Sequence, residues 1–165
     1  MKIPNDLQIV SSASIPKGQD CPVDDLPELY KLGLSMQIIC EKEKGIGLAA
    51  VQVGLPLNFF VVNFKDNFRF FLNCTYTPIT EEKEKYIEGC LSIKTPEGKL
   101  RYFEVERFKN VIIKGKELVA APTLQIKDFE LTPTDYYKIV FQHEIDHAFE
   151  ILISQIGKEL FLWSK

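Results

Sequence analysis

The chain has 165 residues, of which 45% are hydrophobic, 26% charged and 12% aromatic, and its formal net charge at pH 7 is −3. That length and composition suit one globular domain, residues 1–165, and exclude a disordered chain, a collagen-like repeat and a disulfide-stapled miniprotein. Basic residues are interleaved with acidic ones, so no stripe offers the electrostatic footprint that direct nucleic-acid binding needs.

In chain order, the opening Met1–Asp6 lacks the apolar core of a secretory signal, and no later run reaches membrane-spanning length. A cytoplasmic protein without membrane contact is therefore expected, with Cys21, Cys40, Cys74 and Cys90 as reduced thiols. Pro4, Pro16, Gly18 and Pro22 make residues 1–23 an irregular arm. Near Asp24 and Asp25 a helix begins, with Pro27 in its first turn; Leu29, Leu32, Met36 and Ile39 recur at helical spacing, and Gly45 ends it. Beyond the glycine-containing segment 45–54, residues 57–64 and 68–73 are apolar runs separated by Lys65-Asp66-Asn67, the pattern of a hairpin. Further strands are expected at 84–88, 100–106, 110–114 and 123–129. Thr132-Pro133-Thr134-Asp135 then supplies an N-cap, a first-turn proline and an early acid for a helix running to about Ile156. Helix, strands, helix gives an α+β fold.

That last helix carries His143-Glu144-Ile145-Asp146-His147, an H-E-x-x-H pattern that uses the chain's only two histidines. At about 100° per residue the two imidazoles sit one turn apart, with Glu144 on the same face. Two ring nitrogens can grip a metal while the carboxylate reaches its water; the plainer alternative is a pair of surface histidines. A catalytic site of this kind has three protein ligands. The position six beyond His147 is Ile153, and only Glu150 and Glu159 follow as acids, neither well placed. Cys90, beside Gly89 at the end of an expected strand, is the better third candidate, whereas Cys21, Cys40 and Cys74 read as small buried hydrophobes.

Three segments, Gly45-Ile46-Gly47-Leu48-Ala49-Ala50-Val51-Gln52, Glu88-Gly89-Cys90-Leu91-Ser92 and Gln142-His143-Glu144-Ile145-Asp146-His147, resemble the signature motifs of peptide deformylases in order and spacing. The resemblance spans roughly residues 30–155. It implies antiparallel sheets packed around the central C-terminal helix that carries H-E-x-x-H, and removal of the formyl group from the N-terminal formyl-methionine of nascent peptides. By resemblance Cys90, His143 and His147 bind one divalent metal, iron(II) by preference, with zinc, nickel or cobalt also suited to the donors. A water completes the site and Glu144 acts as general base, then general acid. The Gln52 amide and the Leu91 backbone N–H stabilise the developing oxyanion. Gly45, Ile46 and Gly47 run beside the substrate, and Glu88 and Gly89 border its pocket. Tyr136, Ile139 and Val140 share His143's helical face, where they wall that pocket or are ordinary core. Asp146 is either a partner of a ligand histidine or a salt-bridge residue elsewhere.

The chain departs from the family pattern in places. Most members follow the second histidine with Leu-x-Gly, but here Ala148-Phe149-Glu150 stands instead, and the arm lacks the usual P-x-L-R-like pattern. The chain ends at Lys165 without the basic extension linked to ribosome docking, so weak or different ribosome recruitment is expected, in the bacterial cytosol or that of a virus's host. A monomer is expected. The alternatives are a peptidase or an amidase for another N-acyl group, and a catalytically silent homologue that binds peptide N-termini.

Overall fold

The computed structural model describes residues 2–161; Met1 and residues 162–165, the ends of the expected 1–165 domain, lie outside the described residues. The first helix, α1 (Leu26–Lys42), starts where the Asp25 carboxylate accepts the Glu28 N–H at 3.2 Å, with Pro27 in the first turn. Leu29, Leu32, Met36 and Cys40 are buried along one face, with Ile39 partly buried beside them. The helix stops short of Gly45. Lys44 takes the left-handed conformation itself (φ 56°), and Gly45 N–H reaches back to the Cys40 carbonyl at 2.8 Å. This is a Schellman closure built without glycine at its left-handed position.

Five strands, β1 (Gly47–Ala49), β2 (Phe59–Phe64), β3 (Asn67–Pro78), β6 (Val111–Val119) and β7 (Gln125–Leu131), form one antiparallel sheet in the order β1-β2-β3-β6-β7. A second antiparallel sheet has the order β4-β5-β8, from β4 (Lys83–Lys94), β5 (Leu100–Phe108) and β8 (Lys158–Leu160). The expected hairpin is β2–β3, turning through Lys65 and Asp66 at φ 52° and 62°. Strand β3 runs past the expected end at Asn73, because that residue (φ 52°) lies in a bulge after which pairing with β6 resumes. Strands β1 and β8 were not expected; three residues each are too few to display a period.

The second helix, α2 (Tyr137–Ala148), is shorter than the expected 132–156. Asp135 has φ 53°, which breaks helical geometry, so Thr132 does not cap it; the N-cap position falls to Tyr136, which makes no side-chain capping bond. At the other end Glu150 (φ 62°) is left-handed, and Ile151 N–H donates to the Asp146 carbonyl at 3.0 Å in a second Schellman closure. A short α3 (Ile153–Ile156) comes next. One side of α2, with Phe141 and Ile145 buried, packs on Phe60, Phe71, Val111 and Ile113 of the larger sheet. The other side meets the smaller sheet through Gln142, whose amide accepts the Phe108 N–H at 3.1 Å and donates to the Phe108 carbonyl at 3.0 Å. The helix thus lies between two antiparallel sheets. The N-terminal arm is irregular as expected, tied down by Val10 N–H to the Gln52 carbonyl and Gly18 N–H to the Ala148 carbonyl. No described helix is long and apolar enough to cross a membrane.

The left-handed Glu150 stands where the related pattern has glycine, and its ion pair with Lys17 spans 3.9 Å between exposed side chains. Glu150→Gly is expected to stabilise the protein by about 1 kcal/mol, because relief of backbone strain outweighs a weak surface pair. A urea unfolding midpoint unchanged or lowered by the substitution would count against this account.

Candidate metal centre and its cavity

Helix α2 presents His143 and His147 one turn apart, with ring centroids 4.8 Å apart. Cys90, near the end of β4, faces them. One donor atom from each of the three lies within 4.8 Å of the others, and Cys90 Sγ is 3.6 Å from His147 Nε2. A cation at tetrahedral angles, about 2.3 Å from sulfur and about 2.0 Å from nitrogen, separates those donors by about 3.5 Å, so this pair fits a small divalent ion. Cys90 and His147 are buried and His143 nearly so, and one sulfur with two imidazoles is a donor set typical of transition-metal sites. Burial holds His147 well below the ordinary histidine range, leaving its ring neutral as a ligand must be. Burial also disfavours charge on His143, but hydrogen bonds to Cys90 and Glu88 outweigh it and lift its pKa to about 10, so an entering cation displaces a proton there.

The buried surroundings explain how His143 is aimed. Its Nδ1 lies 2.8 Å from Glu88 Oε1, which leaves Nε2 for a metal. Glu88 in turn accepts two bonds from Arg107, from Nε at 2.8 Å and Nη2 at 2.9 Å. Arg107 Nη1 donates to Asp146 Oδ2 at 2.5 Å, and Tyr76 donates its hydroxyl to Asp146 Oδ1 at 2.8 Å. Burial alone raises the Glu88 pKa, yet the bonds from Arg107 and His143 hold it at about 2. Of the two roles open to Asp146, the structure gives the salt bridge: its carboxylate meets Arg107 and Tyr76. Glu88 is the carboxylate partner of His143 as well as a wall of the cavity. Sequence reasoning missed Arg107, although a signal existed. Phe103, Val105 and Arg107 occupy alternate positions of β5 and all three are buried, so the period of two marks this arginine as inward-facing.

Glu144, also buried, has no hydrogen-bond partner for Oε2 among the described residues. Burial raises its pKa to about 7. It lies against β1: a Cβ added to Gly47 would fall 2.5 Å from Glu144 Oε1, so only glycine allows this approach. Gln52 is held by Ala49 N–H, which donates to Oε1 at 2.9 Å. Its Nε2 is thereby left as a donor, toward Cys90 Sγ at 3.4 Å and Ser92 Oγ at 3.3 Å. Ser92 was not singled out by the sequence.

A cavity of about 390 Å³ opens beside these groups. Gly45, Ile46, Gly47 and Gln52 line it from β1 and the segments on either side of it, and Glu88, Gly89, Cys90 and Leu91 from β4. Tyr136, Ile139, Val140, His143 and Glu144 border it from α2 and the residue before it. Ile139 and Val140 are buried from outside yet face this space, while Tyr136, 45% exposed, sits at the rim. The sequence did not find Tyr86, Leu100 and Tyr102, which complete the wall from β4 and β5.

The sequence matches the family model described as polypeptide deformylase over residues 16–159. A protein of Acinetobacter baumannii named peptide deformylase is 33% identical over 130 residues, covering 76% of this chain and 68% of its own length. Another so named, from Borreliella burgdorferi, is 31% identical over 158 residues, covering 94% and 85%. The crystal structure of peptide deformylase from Thermotoga maritima superposes with a TM-score of 0.73 at 29% identity, covering 91% of this chain and 96% of that one.

Arg107→Leu leaves the buried Asp146 facing no cation and Glu88 with only His143, and is expected to cost about 3–5 kcal/mol in urea unfolding at pH 7. Because the folded pKa of Glu88 is depressed, the contribution it makes through Arg107 is fully present above the unfolded carboxylate pKa and fades as pH falls toward about 2. The stability gap between native protein and variant should therefore narrow over that acid range; a gap constant with pH would argue against the assignment.

Proposed function

We infer, since the chain belongs to the polypeptide deformylase family, that Cys90, His143 and His147 hold the divalent cation and that Glu144 moves the protons of the family's reaction. That reaction is metal-dependent hydrolysis of the formyl amide at the N-terminal formyl-methionine of nascent peptides, with release of formate. The observation that carries the residue assignment is the convergence of one thiol and two imidazoles within 4.8 Å, from β4 and α2, beside a buried carboxylate. Iron(II) is the proposed ion, and zinc, nickel and cobalt suit the same donors. When bound, the cation supplies Lewis acidity toward a water and toward the formyl carbonyl.

The chain's own residues do the rest. With a pKa near 7, Glu144 can accept a proton from the attacking water and return it to the departing amine at neutral pH. The Gln52 Nε2 donor and the Leu91 N–H are proposed to take the charge that develops on the formyl oxygen. Strand β1 is one edge of the larger sheet and β4 one edge of the smaller. A substrate backbone laid between them would pair with the 45–47 segment on one side and with Gly89 on the other. The methionine side chain then enters the apolar space bordered by Tyr136, Ile139 and Val140, with Glu88 at its edge.

We read residues 1–165 as one catalytic domain acting as a monomer in the cytosol, where nascent chains emerge. Apolar clusters shared by the arm, α1 and strands of the larger sheet support the single domain. Many surface lysines are paired with carboxylates, Lys109 with Glu82 and Lys116 with Asp128 among them, which supports weak recruitment to the ribosome and no direct nucleic-acid binding.

Formate release from formyl-Met-Ala-Ser, by protein loaded anaerobically with iron(II), tests the reading. Glu144→Ala should lower kcat about 10³-fold while the metal is retained, and an acetyl-Met peptide should be spared. No release at full metal occupancy would point instead to another acyl substrate or to a binding-only protein. Gly47→Ala should lower kcat about 10²-fold by displacing Glu144, because the added Cβ would fall 2.8 Å from its Cγ and Cδ as well as 2.5 Å from Oε1, so the whole side chain must shift.

A further inference from the structure

Beyond the groups already given roles, one polar side chain of the larger sheet reaches into the buried network behind the metal ligands. Tyr76 lies on β3, paired in register with Ile113 of β6, and its ring packs with the apolar cluster that contains Phe141 and Ile145. Only its hydroxyl leaves that cluster, to bond Asp146 Oδ1 at 2.8 Å. The other oxygen of Asp146 is taken by Arg107 Nη1. The two remaining donors engaged by Arg107, Nε and Nη2, fork onto Glu88, and Glu88 Oε1 meets His143 Nδ1. The path from Tyr76 to His143 is thus four residue-to-residue links, each at 2.5–2.9 Å.

Each link constrains the next. A guanidinium is a rigid planar fork, so fixing Nη1 fixes the plane in which Nε and Nη2 meet Glu88. An aspartate side chain has two rotatable bonds, and bonds to both its oxygens from opposite sides define its rotamer. Arg107 supplies one of those bonds; Tyr76, anchored by its ring in the core, supplies the other. We propose that Tyr76 is a positioning residue for the metal centre, setting the orientation of His143 through Asp146, Arg107 and Glu88. Its ring is anchored on the sheet opposite the one that supplies Cys90, so the thiolate and the imidazole it must meet are registered from the two sides of α2.

The inference rests on the reading of Cys90, His143 and His147 as the metal site, and the experiment separates the two. Cobalt(II)-loaded native protein, Tyr76→Phe and Tyr137→Phe are compared for the visible absorption of the bound ion, its loss to a chelator, and kcat and KM for formyl-Met-Ala-Ser. Tyr137→Phe is the control, since it also deletes one hydroxyl, the acceptor of Lys65 N–H at 2.8 Å, but outside the network. Tyr76→Phe is expected to shift the cobalt spectrum, to speed metal loss by about 3–10-fold and to lower kcat by a similar factor at unchanged KM. Tyr137→Phe should match native protein in all of these. Asp146→Asn, which keeps the shape of the side chain, serves as a second variant and should shift the spectrum in the same direction. Native-like spectrum and metal retention in folded Tyr76→Phe, or equal effects of both tyrosine variants, would overturn the proposal while leaving the metal site intact. Native protein that binds no cobalt, or binds it equally after His147→Ala, would overturn the site reading and this inference with it.

Discussion

A guanidinium withdrawn from water between two carboxylates, Arg107 between Glu88 and Asp146, joins the smaller sheet to the helix that carries both histidines. Removing such charges from solvent costs several kcal/mol per ion, and the cost is offset only when every donor and acceptor is matched. Here the matching is close: Arg107 gives two bonds to one carboxylate and one to the other, and Tyr76 and His143 take up the remaining acceptor sites. A buried ion network of this kind does little for net stability compared with an apolar core of equal volume. What it supplies is a single permitted arrangement, because any slip of α2 along the sheets leaves a charge unpaired in a dry interior. The proposed metal ligands inherit that precision.

The apolar half of the same sandwich is more forgiving. Phe141 meets Phe60, Phe71 and Phe129 with ring centroids 5.1–6.2 Å apart, in geometries from edge-on to stacked. Aromatic contacts of that range hold the helix down without dictating its register. On the other side Gln142 imitates a strand by bonding both backbone groups of Phe108. It gives the helix a fixed point on β5 just before the first histidine. Packing therefore sets how deep α2 lies, and polar bonds set how far along it lies.

Much of this was legible in the sequence because it is periodic or chemically distinctive. The α+β order, the β2–β3 hairpin, the start of α1 at Asp25 and the pairing of the two histidines come from local spacing, whereas Cys90 was reached by setting aside other third ligands and by the family resemblance. What stayed hidden falls into two kinds. Strands β1 and β8 exist because long-range partners pair with them, which three residues cannot announce. The end of α1 was assigned to Gly45 although Lys44 adopts the left-handed turn, and α2 was drawn too long because capping residues and periodicity run on past Asp135 and Glu150, whose positive φ values bound the helix. Tertiary contacts on either side can impose a conformation that intrinsic preference disfavours by about 1–2 kcal/mol. Arg107 and Tyr76 were missed for a different reason: their roles depend on which strand faces which helix, and that is a property of topology.

The two unpaired strand edges that face each other across the cavity, β1 and β4, make the sheets resemble a single surface with one strand left out. If an incoming peptide is that strand, most of its hold comes from main-chain amides that every sequence shares, and only its first side chain is inspected. Such a protein is indifferent by construction to the residues after the initiating one. It can serve thousands of different products of translation with one site, and the exception built into that economy is a proline early in the product, which offers no amide proton to the waiting edge.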